Sequence, residues 1–112
     1  MKTEARLTPS NLDRFDQECA KAFQFLVAEL QFRRSPMEAD TRIGEVRYSK
    51  RGIWIQVRHD VLDQDVVAHI VRRRLLRRQV TRVGWIEVAG EDLAEALSAL
   101  ASGVKRELER HE

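Results

Sequence analysis

Residues Gly52–Asp60 alternate without a break: Ile53, Ile55 and Val57 point one way, while Trp54, Gln56 and Arg58 point the other. This period of two allows a strand with one dry face and one wet face, and little else. A strand of that kind needs partners beside it and an apolar layer against its dry side. The flanking sequence supplies both. Ile43–Ser49 reads as a strand, and Ser49-Lys50-Arg51-Gly52 makes a tight hairpin turn in which Gly52 takes a positive φ.

Amphipathic helices stand on either side. Pro9-Ser10-Asn11 marks a helix start, with Ser10 or Asn11 as the cap and Asp13 and Asp16 suited to the positive end of the dipole. Leu12, Phe15, Cys19, Ala22, Phe23, Leu26 and Leu30 then recur at spacings of three and four, so the pattern predicts a helix over about 10–32. Pro36 cannot continue it. A polar connection follows over 35–42. A second helix is expected over about 91–110, opened by Glu91 and Asp92, with Leu93, Ala96, Leu97, Leu100, Ala101, Val104 and Leu108 as its stripe. Gly103 weakens that helix by about 1 kcal/mol relative to alanine, which suggests close packing.

Residues 65–73 fit two periods. As a helix, Val66, Val67, Ile70, Val71 and Leu75 make a stripe; as a strand, Val67, His69 and Val71 share one face. Valine and isoleucine favour the strand. Residues 74–79 read as a helical turn or loop, and 80–88 as a further strand with Val83 and Trp85 opposite Ile86 and Val88. The expected architecture is a single α+β domain: an antiparallel sheet of three to four strands with the N- and C-terminal helices packed on one face. The opposite face, carrying Trp54 and Arg58, stays open.

Chemistry is sparse. One cysteine, Cys19, rules out an intrachain disulfide and falls on the apolar stripe of the first helix. His59, His69 and His111 lack zinc-ligand spacing, and the hairpin register separates His59 from His69. Ser98 and Ser102 have no histidine nearby in sequence. The carboxylate pairs Asp63/Asp65 and Glu91/Asp92 fall in a turn and at a helix start, where acid is structural. The glycines are scattered and form no phosphate loop. We therefore expect no enzyme and no cofactor or metal. The charged N-terminus with no apolar run after it, and the lack of any membrane-length apolar stretch, lead to an expectation of a cytoplasmic protein.

One patch has a positive case. Arg72, Arg73, Arg74, Arg77 and Arg78 crowd into seven residues of a chain whose formal net charge is only +2. Basic charge is therefore segregated from acid. In an extended chain, Arg72 and Arg74 share the face of Ala68 and Ile70, and Arg73 joins His69 and Val71. Arg47, Arg58 and Lys50-Arg51 extend the surface. Such a cluster fits a solubilising strand end, an acidic protein surface, or a nucleic acid. Trp54 beside Arg58 fits an interface anchor, or a ring packed under Trp85 or a loop. A sheet edge or an apolar helix face leaves a homodimer open.

The segments Phe23–Phe32, Glu45–Tyr48, Gly52–Asp60 and Asp65–Ile70 together resemble small, mostly uncharacterised bacterial α+β proteins, some of immunity-protein type. The resemblance covers roughly residues 12–72. His59-Asp60 stands where those proteins end the strand in Tyr-Asp. It implies an α+β meander that binds a protein partner, and it carries over no catalytic residue.

Overall fold

The computed structural model describes residues 11–74, 77–88 and 92–110. Helix α1 (Asn11–Ala22) and the short α2 (Gln24–Ala28) are followed by β1 (Arg33–Arg34), β2 (Glu38–Ala39), β3 (Ile43–Lys50), β4 (Ile53–Asp60), β5 (Asp65–Arg74), β6 (Arg77–Glu87) and α3 (Leu93–Arg110). The strands form one antiparallel sheet in the order β1-β3-β4-β5-β6, with β2 pairing the same outer edge of β3 as β1. The expected capping by Ser10, the helix opening at Glu91, Leu75, and His111 lie outside the described residues.

The alternating pattern works as the period of two requires. Val46, Tyr48, Ile55, Val57, Val66, Ala68 and Ile70 are buried on one face, together with Phe15, Phe23 and Leu26 from the first helices and Leu97, Leu100 and Val104 from α3. Burying each such side chain contributes roughly 1.5–3 kcal/mol. At Gly103 an added Cβ would lie 2.9 Å from Val83 Cγ1, so the glycine lets α3 press directly onto β6. The backbone penalty in the helix is offset by that close approach.

Three expectations need correction. The first helix does not run to residue 32. It breaks at Phe23, and the chain leaves α2 through Gln31, whose φ of 64° is left-handed. Phe32 N–H closes onto Leu26 O at 2.8 Å. That turn swings Arg33–Arg34 onto the edge of β3, so the sheet gains two short strands and has six. The reason is tertiary: β3 would otherwise expose a bare edge. Arg34 locks the arrangement by donating to the Tyr48 hydroxyl (3.2 Å) and to the Asp16 carboxylate of α1.

Arg74 and residues 77–79 are strand, not helical turn or loop. β5 continues to Arg74 and β6 starts at Arg77, with Arg73 opposite Arg78 and Arg74 opposite Arg77. Finally, a β-bulge between Ala68 and His69 in the β5–β6 register shifts the facing of β6. Val83 therefore joins Ile86 against the core, while Trp85 keeps its expected place opposite Ile86 and is exposed.

Candidate basic interface on the open sheet face

The face away from the helices is built in cross-strand rows. Ser49, Trp54, Val71 and Val80 form one row; Arg47, Gln56, His69 and Arg82 form the next; Glu45, Arg58, Val67 and Trp85 form a third. Trp54 and Arg58 thus lie where the alternation placed them. Trp54 does not pack under Trp85. Its ring is flanked by Arg47, 5.6 Å from the centroid, and by Arg78 at 5.8 Å. Cation–π pairs of this kind contribute about 0.5–1 kcal/mol each near the surface. Val71, only 3% exposed, is buried on this otherwise wet face. The buried Trp54 Nε1 has no hydrogen-bond partner among the described residues.

Trp85 was not among the residues picked from the sequence, and it is the most prominent apolar group here. Its ring is 52% exposed, yet its Nε1 donates to Asp65 Oδ2 at 3.0 Å, which pins an exposed aromatic in place. Val80 is 59% exposed nearby along β6. The outward facing of Trp85 follows from the alternation that sets it opposite Ile86 and Val88, both on the core side.

Electrostatics divide the face. Glu45 meets Arg58 at 3.4 Å and Arg47 at 3.6 Å and accepts from Gln56 at 3.3 Å, so it neutralises the centre locally. His69 is held below its ordinary value by burial, with Arg82 and Arg58 adding repulsion. At the hairpin end the five arginines separate. Arg73 and Arg78 lie on the open face with Trp54. Arg72 and Arg74 lie on the helix side, where Arg72 borders Leu30, Phe32, Ile53 and Leu108. Burial and the neighbouring Arg74 lower the Arg72 pKa, against the pull of Glu107. Arg74 Nε donates to Gln79 at 3.2 Å. Among the described residues, no carboxylate forms a salt bridge with any of Arg73, Arg74, Arg77 and Arg78.

Elsewhere the polar residues have structural tasks. His59 is buried, stacks obliquely on Phe15, and donates from Nδ1 to Asp65 O at 2.9 Å. Cys19 is fully buried and burial pushes its thiol up to about 12, so it stays protonated. The described residues hold no cluster of three or more histidine, cysteine or acidic side chains able to take a metal ion. No described helix is long and apolar enough to cross a membrane. No family model, curated protein or solved structure matches this chain.

Proposed function

We propose that this is a non-enzymatic cytoplasmic binding protein, of the immunity-inhibitor or small regulatory type, whose open sheet face and arginine hairpin recognise an acidic protein surface. The observation that carries the reading is the combination on one face of a pinned, exposed Trp85 with Arg58, Arg73, Arg78 and Arg82. Tryptophan and arginine dominate the energetics of protein interfaces. A protein partner fits better than a nucleic acid, because the same face carries Glu45, Asp65 and Glu87, which would repel a phosphate backbone laid along the strands.

The test is capture from the host with tagged wild-type chain and with Trp85→Ala and Arg73→Glu/Arg78→Glu variants run in parallel. One protein should be retained stoichiometrically by the wild type and lost by both variants, while the variants keep the wild-type circular dichroism spectrum. Equal retention by all three chains refutes the interface. Capture of nucleic acid, with binding that collapses as salt rises, would replace the protein reading.

A further inference from the structure

At the basic end of the sheet, three separate segments border an open surface cleft of about 480 Å³ lined by Arg33, Ser49, Arg51, Gly52, Trp54 and Arg73 among others. We infer that this cleft is a binding site for a small phosphorylated molecule, held by Arg33, Arg51 and Arg73. It shares Arg73 and Trp54 with the open sheet face, so the two readings are separated by Arg33 and Arg51, which line the cleft, and by Trp85, which does not.

The backbone assembles the site before any ligand arrives. Arg33 is register partner to Ser49, and Ser49 to Trp54, so β1 delivers its guanidinium beside the floor of the cleft. The Arg51-Gly52 turn forms the rim. Gly52 has φ +70°, and a Cβ there would meet nothing within 4 Å, so the space above the turn is open. Gly52 O accepts the Arg73 N–H at 2.8 Å, which ties the start of the arginine hairpin to that rim. Lys50 Nζ is turned to the helix side of the sheet, bonded to Leu30 O at 2.6 Å, which leaves the arginines as the cations of the cleft.

No carboxylate lines the cleft, and Arg33, Arg51 and Arg73 form no salt bridge among the described residues. Their charges repel one another until an anion enters. A guanidinium presents a rigid fork of donors that matches phosphate oxygens, and a phosphate offers three such oxygens to forks arriving from different directions. A carboxylate offers only two oxygens in one plane. The volume falls within the ~300–1,000 Å³ of small-ligand clefts and exceeds what one phosphate fills. A phosphorylated small molecule or a pyrophosphate therefore fits better than inorganic phosphate alone.

Trp54 lines the cleft and reports on it. In a Trp85→Phe background it is the remaining tryptophan of the two in the chain. Titration with inorganic pyrophosphate at low ionic strength should give a saturable one-site fluorescence change. Arg51→Ala and Arg73→Ala should each weaken it at least tenfold, while Lys21→Ala on α1, outside the cleft and the sheet face, leaves it within about twofold. Each variant is first matched to the parent by circular dichroism. An identical change with sodium chloride at matched ionic strength, or undiminished affinity in Arg51→Ala/Arg73→Ala, overturns the site. Tighter binding of a short oligonucleotide than of pyrophosphate overturns the small-molecule assignment. Loss of the captured protein with Trp85→Ala alone bears only on the sheet-face interface.

Discussion

The two ends of the sheet carry opposite charge and use it differently. At one end, Asp40, Asp60, Asp63 and Asp65 gather around the β4–β5 turn and the start of β3. Asp40 Oδ1 accepts from the backbone N–H groups of Arg42 (2.8 Å) and Ile43 (2.7 Å). Asp60 Oδ1 accepts from those of Leu62 (3.0 Å) and Asp63 (3.1 Å), and Asp60 is also bridged by Arg42 Nε at 2.9 Å. Arg42 reaches on to Asp63 at 3.2 Å. Each of these bonds closes a turn. At the other end, Arg73 faces Arg78 and Arg74 faces Arg77, with like charges directly opposed and, among the described residues, no salt bridge to any of the four. Such pairs destabilise a sheet. Charge that completes hydrogen bonds within the chain supports the fold; charge left unpaired at a cost to the fold is available to something outside it.

That contrast is broken most sharply by reversing charge at the basic end. Arg73→Glu/Arg78→Glu should weaken partner binding by at least about 100-fold, since removing charge pairs across an interface costs about 2–5 kcal/mol, with no loss of chain stability. Calorimetric titration against the captured partner measures the first and urea unfolding the second. A stability loss larger than the binding loss would make the arginines structural after all. Trp85→Ala should weaken the same complex by roughly 10–30-fold, about 2 kcal/mol, as for a pinned aromatic anchor, again read by titration.

The acidic end should respond in the opposite sense. Asp60→Asn should leave partner affinity unchanged and lower the urea midpoint, because it removes the bridge to Arg42 and weakens the turn. The Asp60 carboxyl is held down at about 2, from an ordinary 3.8, first by Arg42 and then by the Asp63 and Leu62 N–H groups. A depressed carboxyl contributes fully above its ordinary value and loses that contribution as pH falls through its folded value. Unfolding followed from pH 4 to pH 2 should show this decline in the wild type and a flatter profile in Asp60→Asn. An unchanged profile would show that Asp60 carries none of it. The smallest effect is expected from Arg77→Glu, which replaces a like-charge pair with an opposite-charge pair against Arg74. It should raise stability by about 0.2–1 kcal/mol, visible as a higher urea midpoint.

β4 and α3 were the most legible because each shows an unbroken period, whereas β5 was assigned on its valine and isoleucine content. Ile53–Asp60 alternates, and Leu93, Ala96, Leu97, Leu100 and Val104 recur as a helix stripe, all of them buried as that pattern requires. Arg58 and Trp54 were placed on the open face by the same alternation. The strand position of Arg33 and the core-side facing of Val83 were not legible. Arg33 follows a helix-like pattern through Phe32 and joins the sheet only because Gln31 turns left-handed against the edge of β3. Val83 joins the core side only because the β5–β6 pairing slips by one residue at Ala68/His69.

The amino-acid order by itself determined which segments could be strands and helices, and which face of each had to be dry, because burial of apolar side chains at a fixed period is a local property. Tertiary structure alone decided which charges find partners. An arginine's neighbours across a sheet come from register, a bulge and an edge strand, and those are set by long-range pairing. For that reason the sequence shows an arginine cluster in a chain of nearly balanced charge, while the fold shows the carboxylates around Asp60 bonded within the chain and Arg73, Arg74, Arg77 and Arg78 without a salt bridge among the described residues.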